Sequence, residues 1–191
     1  NPNVGLTVAP AADPICENTS TTIDVTGSEA GYTYQLRNDV GDVNVGAAVV
    51  STGGTLNLPT GNLTATTTFN VLVTNGTCSV ELTSLSTVNV DVNPNVGLTV
   101  APAADPICEN TSTTIDVTGS EVGVNYQLRN DVGDVNVGTP VAGTGGVINL
   151  PTGNLGATTI FNVLATSGVC TPAELGTLVT VNVDALPNVG L

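Results

Sequence analysis

The sequence predicts an all-β fold built as a tandem of two-sheet sandwiches, and three observations carry that prediction. The chain repeats itself at a period of about 92 residues. Within each period, short segments alternate apolar and polar residues between clusters of Gly, Asn, Asp and Pro, the period-two signature of strands bounded by turns. The apolar residues are mostly Val, Leu, Ala and Ile and the polar ones mostly Thr, Asn, Ser and Gly, a mixture rich in strand and turn formers that gives helix little support.

Repetition sets the unit of folding, so it is read first. Residues 1–29 recur without change as residues 93–121, and an offset of 92 holds through Cys78 and Cys170. One additional residue then enters the second copy, so that Glu81 matches Glu174. Pro187-Asn188-Val189-Gly190-Leu191 repeats the motif that opens each copy. The expected division is therefore a first repeat over 1–92, a second over 93–185 and the start of a third over 186–191, a window from a longer array. The period is too long for a solenoid unit and fits a self-folding sandwich domain of about seven strands.

The strands follow in order along the first copy. Leu6 and Val8 mark the first. Ile23 and Val25 alternate with Thr22, Asp24 and Thr26 in the second, and Tyr32, Tyr34 and Leu36 alternate with Thr33, Gln35 and Arg37 in the third. A turn follows at Asn38-Asp39-Val40-Gly41-Asp42. Val49 and Val50 lie on a fourth strand, Leu56 and Leu58 on a fifth that stops at Pro59, and Phe69, Val71 and Val73 on a sixth. Val88, Val90 and Val92 face inward from a seventh. Seven strands with one apolar face each predict an immunoglobulin-like β-sandwich, repeated in tandem. The joint Asp91-Val92-Asn93-Pro94-Asn95-Val96-Gly97 is short and carries a proline, which predicts a stiff connection and a semi-rigid array.

Composition narrows the function. Two Arg, no Lys and sixteen acidic residues give a formal charge of −14, so the surface repels phosphate backbones and anionic lipid, and neither nucleic acid nor a membrane surface is expected as a partner. No apolar run approaches the roughly 18 to 20 residues that span a bilayer. The chain has no His and no Lys, which removes the commonest general base and the Schiff-base or phosphate-binding lysine. Thr52-Gly53-Gly54 and Thr144-Gly145-Gly146 lack a phosphate-loop lysine and read as turns. No enzyme activity, cofactor or metal is expected. Absence of Lys also excludes a Lys–Asn isopeptide staple and leaves disulfides as the available covalent support.

The cysteines are the strongest chemical signal. Cys16 and Cys78 are separated by 62 residues, and Cys108 and Cys170 repeat the spacing. In a repetitive β chain this pattern points to an oxidising compartment and a disulfide framework. No Cys has a second Cys or a His at zinc-ligand spacing. Pairing within each copy follows the habit of small secreted domains. A geometric objection stands against it, because the start of the second strand and the end of the sixth lie at opposite ends of a simple sandwich, beyond the roughly 7 Å that a disulfide bridges between Cα atoms. Either the segment 11–20 makes an excursion, or Cys16 pairs across copies with Cys170; free thiols are the third arrangement.

Two further groups are weighed. Asn38-Asp39-Val40-Gly41-Asp42-Val43-Asn44 clusters oxygen ligands but lacks the sixth-position glycine and terminal glutamate of an EF-hand calcium loop, and reads as an Asx-rich hairpin turn. Arg37 and Arg129, the only cations, occupy equivalent outward strand positions and are expected to partner carboxylates across the strands.

Ile15-Cys16-Glu17-Asn18 followed by residues 21–26, Tyr32-Thr33-Tyr34-Gln35-Leu36, Thr66-Thr67-Thr68-Phe69-Asn70-Val71 and Gly76-Thr77-Cys78 together resemble the immunoglobulin-like and PKD-like tandem repeats of giant surface adhesins in the Bacteroidota. The resemblance covers both copies, although copy two has Val124 and Asn125 where copy one has Tyr32 and Thr33, and the third-strand Trp usual in that family is missing. It implies an extracellular, cell-surface filament exported by type IX secretion, active in adhesion and gliding motility, with neighbouring repeats, surface polysaccharide or other adhesin chains as partners. The leading function is a non-catalytic stalk segment of such an adhesin. A self-assembling extracellular filament and a carbohydrate-binding accessory module of a secreted enzyme are the alternatives.

Overall fold

Alternating valine, leucine and isoleucine against threonine and asparagine gives strands throughout, and the described part of the computed structural model, residues 2–187, contains strands and turns without a helix. The chain divides into two compact units, Asn1–Asp91 and Val92–Leu191. Of the expected third-repeat start at 186–191, residues 188–191 lie outside the described residues.

The first unit runs β1 (Thr7–Pro10), β2 (Ile15–Cys16), β3 (Thr19–Ser28), β4 (Thr33–Asn38), β5 (Val43–Asn44), β6 (Val49–Val50), β7 (Gly54–Leu63), β8 (Thr67–Thr74), β9 (Ser79–Glu81), β10 (Ser86–Val88) and β11 (Val90–Asp91). One sheet has the order β1-β3-β7. The other has the order β10-β8-β4-β5, with β6 also on β4 and β9 also on β8. Taking β1 with β2, β5 with β6, and β9 with β10 and β11 as interrupted single strands gives the seven of an immunoglobulin-like sandwich. The second unit repeats the pattern as β12 (Thr99–Pro102), β13 (Ile107–Cys108), β14 (Thr114–Thr118), β15 (Asn125–Asn130), β16 (Val135–Asn136), β17 (Val141–Ala142), β18 (Ile148–Pro151), β19 (Thr159–Thr166), β20 (Ala173–Glu174), β21 (Val179–Val181) and β22 (Val183–Asp184).

Each unit closes its own core. Ile23, Val25, Tyr34, Leu36, Leu58 and Phe69 are among the residues buried in the first, and Ile115, Val117, Tyr126, Leu128, Leu150 and Phe161 in the second. Tyr34 and Tyr126 are the large aromatic side chains buried on the third strand of each unit. Each points its hydroxyl at the backbone, accepting from Glu29 N at 2.8 Å and Glu121 N at 2.9 Å, so the one polar atom of a large buried ring is satisfied.

Three local expectations are corrected. The fifth strand does not stop at Pro59: β7 continues to Leu63, with Pro59 opposite Thr22. This edge strand shifts register between Ser20 and Thr22, and the Thr60 hydroxyl restores both lost contacts by accepting from Thr21 N at 3.1 Å and donating to Thr21 O at 3.0 Å. Gln35 faces the protein more than alternation implies. Its Nε2 donates to Leu36 O at 2.8 Å and Val45 O at 3.1 Å, tying β4 to the segment between β5 and β6; Gln127 does the same in the second unit and is buried. The seventh strand is split, since β10 belongs to the larger sheet while β11 pairs elsewhere, and Val92 packs against the second core instead of ending that strand. The segment 11–20 makes the excursion that stood as one of the alternatives for it. After β1 pairs antiparallel with β3, the chain crosses through Asp13 and Pro14 to place β2 parallel to β11, with Ile15 opposite Val90 and Cys16 opposite Asp91.

Candidate functional site

The crossing strand builds the first notable geometry. Ile15 N donates to Asn89 O at 3.0 Å and Glu17 N to Asp91 O at 2.8 Å, the slanted bonds of a parallel pair. Asp13 clamps the entrance: its Oδ1 accepts from Asn89 N at 2.6 Å and its Oδ2 from Asn89 Nδ2 at 3.1 Å. The second unit reproduces the clamp with Asp105 and Asn182 at 2.6 and 3.1 Å, and β13 runs parallel to β22. Charge-assisted bonds to a carboxylate are stronger than neutral ones, so each clamp holds the first strand of its unit to the last.

The second geometry is an arginine cluster on the larger sheet. Arg37 on β4 lies opposite Asn70 on β8, and its Nε donates to Asn70 Oδ1 at 2.9 Å. Its Nη2 pairs with Glu81 of β9 and, at 3.3 Å, with Asp42 of the turn. Asn70 in turn donates through Nδ2 to Asp42 Oδ1 at 2.7 Å and Asp39 Oδ1 at 3.2 Å. Arg129, Asn162, Asp134, Asp131 and Glu174 repeat the arrangement. Both arginines therefore take carboxylate partners, and the oxygen-rich turn directs its side chains at N–H donors. Asp42 and Asp134 adopt φ of 53° and 54°, a left-handed conformation that aspartate tolerates in turns. Among the described residues, no group of three or more His, Cys, Asp or Glu is arranged to hold a metal ion. The cluster can lock a hairpin turn onto a sheet; it offers no unengaged nucleophile or base.

The cysteines separate by environment. Cys16 and Cys170 are disulfide-bonded. Cys78 and Cys108 are free thiols and exposed. Pairing within each copy is thereby corrected, since neither Cys16–Cys78 nor Cys108–Cys170 forms. Cys16 ends the short β2, Cys78 sits in the turn between β8 and β9, and the excursion that β2 makes leaves the two at different parts of the sandwich. Equivalent residues differ in burial: Cys170 is 5% exposed, whereas Cys78 is exposed. A cavity of about 380 Å³ opens beside Cys78, lined by Pro2, Val4, Cys78, Ser79 and Val80. The parallel pair and its Asp–Asn clamp were invisible to strand alternation, because a two-residue strand has no period to read.

No curated protein matches the chain. Residues 5–94 match a family model described as a domain of unknown function, DUF8696. Solved structures match the fold. The I67–I69 I-band fragment of titin superposes with a TM-score of 0.64 at 12% identity, covering 94% of this chain and 65% of that one. Murine CEACAM1b gives 0.54 at 10% identity, covering 95% and 100%. The Escherichia coli adhesin FdeC gives 0.53 at 14% identity, covering 97% and 65%. This chain thus spans slightly less than two thirds of the titin and FdeC chains. The sheet orders and these likenesses agree that the chain is an all-β tandem of immunoglobulin-like β-sandwich domains.

Proposed function

We propose that the chain is a non-catalytic, load-bearing segment of a secreted bacterial surface adhesin, a stalk that holds a binding region away from the cell. The observation that carries this reading is the parallel pairing of first and last strands in each unit. Tension applied to the two ends of a unit pulls β2 and β11 in opposite directions along their common axis. Their hydrogen bonds and the Asp13–Asn89 clamp then shear together, whereas an antiparallel hairpin pulled from its open end releases bonds one at a time. Repetition of the same arrangement in β13 and β22 gives every unit the same resistance.

Surface location and adhesion are supported by the sequence resemblance to the Bacteroidota repeats and by the likeness of fold to the adhesin FdeC, and gliding motility by the resemblance alone, which extends to the repeats of the gliding adhesin SprB. Neighbouring repeats are the first partners, and surface polysaccharide contacts add by multivalency. Single-molecule stretching of the chain with its cysteines kept reduced, so that the load passes through every strand of both units, tests the reading. Each unit is expected to unfold in one high-force event, with Asp13→Ala lowering the event of the first unit and Asp105→Ala that of the second. Unfolding at the low forces that unzip a hairpin, unchanged by either substitution, would overturn it.

A further inference from the structure

We infer that Asn75 of the first unit is a self-modifying site, an asparagine that the turn between β8 and β9 converts to aspartate and isoaspartate with water as the only co-reactant. Asn75-Gly76 is the only Asn-Gly pair in the chain; every other asparagine precedes a residue with a side chain, Val, Leu, Thr, Asp, Tyr or Pro. The distinction matters because the reaction begins when the following backbone nitrogen attacks the asparagine amide carbon, and a side chain on that following residue stands in the way. At Gly76 nothing lies within 4 Å of the position a Cβ would take, and its φ of 94° is a conformation that glycine adopts freely. Asn75, Gly76, Thr77 and Cys78 are all exposed, so water and hydroxide reach the reacting atoms.

The hydrogen bonds of the turn supply the rest. β8 and β9 pair antiparallel with Thr74 opposite Ser79, and Asn75 N donates to Cys78 O at 3.1 Å across the hairpin. The Asn75 side chain folds forward over this turn: its Oδ1 accepts from Thr77 N at 3.2 Å and from Cys78 N at 2.9 Å. Two N–H donors on one amide oxygen draw electron density from Cγ and stabilise the negative charge that the oxygen carries in the tetrahedral intermediate. Gly76 N donates to Thr74 Oγ1 at 3.2 Å, which points the proton it must lose at a hydroxyl able to pass it on to solvent. Gly76 N bonds to Asn75 Cγ as that proton departs; the Cγ–Nδ2 bond then breaks, and Nδ2 leaves as ammonia with a proton from solvent. Water opens the resulting cyclic imide at either carbonyl, so the sum is asparagine and water giving ammonia and either aspartate or isoaspartate. Aspartate keeps both acceptor bonds and strengthens them with its charge; isoaspartate routes the main chain through Cγ and loses their spacing. The second unit carries Ser167-Gly168 at the matching place and has no amide there to react. This inference does not depend on the stalk reading, since it needs only the folded turn and water.

The test is ageing of the folded chain at mildly alkaline pH, followed by anion exchange, peptide mass mapping and labelling with protein isoaspartyl methyltransferase. A species with one more negative charge should accumulate, with the mass change of NH2 replaced by OH confined to the peptide that holds Asn75, and with methyl label on its isoaspartate fraction. Its rate of formation should rise roughly tenfold per pH unit, because the attacking nitrogen must first be deprotonated. Asn75→Ser, which installs the residue of the second unit, should abolish the charge-shifted species. The inference is overturned if Asn75 stays asparagine in folded protein under conditions that convert it in the urea-unfolded chain, if conversion is spread over other asparagines, or if the charge shift survives Asn75→Ser.

Discussion

Ser86 is a polar residue in an apolar place. Among the described residues its Oγ is a buried side-chain oxygen without a hydrogen-bond partner, and it lies opposite Phe69 on β8. The second copy carries Val179 at the matching position, opposite Phe161. Leaving a hydroxyl buried and unpaired costs on the order of 1 to 3 kcal/mol, so Ser86→Val is expected to stabilise the first unit by about 1 kcal/mol, read as a rise in its denaturant midpoint. Tyr126 supplies a second expectation at this scale. Burial, opposed by the bond from Glu121 N and reinforced by the Glu121 charge, holds its hydroxyl above the ordinary tyrosine value of 10.0. The protonated ring is thus favoured in the folded state, so its contribution is complete below pH of about 10 and is lost as pH rises from there through the folded value. With both free thiols alkylated and no Lys or His in the chain, denaturant titrations above pH of about 10 should show falling stability, and Tyr126→Phe should reduce the fall.

At the scale of elements, the arginine clusters decide how firmly the turn after β4 is held. Asn70 is 1% exposed and joins β8 to β4 and to the turn through bonds to Arg37, Asp39 and Asp42. Asn70→Leu fits the space but strips partners from charged groups, and a loss of about 2 to 3 kcal/mol in the first unit is expected from chemical denaturation. The partly exposed ion pairs themselves add little, roughly 0 to 1 kcal/mol each. Strands with several alternating residues, such as Ile23 to Thr26 or Phe69 to Val73, were legible because one face meets a core and the other does not. The carboxylate partners expected for Arg37 and Arg129 were legible too, since an outward arginine on a strand in an acidic chain has few other neighbours. What escaped was set by tertiary geometry. Pro59 reads as a stop until Thr60 is seen to replace the missing ladder bonds, and Gln35 reads as solvent-facing until its bond to Val45 O is seen to tie it to the segment between β5 and β6. Which cysteines are bonded was left open among several arrangements, because nothing in the spacing of Cys16 and Cys78 reports where the crossing strand carries Cys16.

Across the whole molecule, the acidic surface and the scarcity of cations have a consequence beyond charge. Arg37 and Arg129 are the only basic side chains in 191 residues, and each is 12% exposed, engaged by carboxylates and paired with strands on both sides. A protease of trypsin specificity must draw several residues around such a side chain into an extended, unpaired conformation. The folded chain presents no such stretch among its described residues. Trypsin should therefore leave native protein intact over periods that digest denatured protein completely, and the slow cutting that remains should follow the fraction of molecules transiently opened. Rapid native cleavage at Arg37 would show that β4 detaches locally. Outside a cell, where digestive enzymes are a common hazard, pinning the only two cleavable bonds inside ladders turns an ordinary cross-strand contact into protection against being cut.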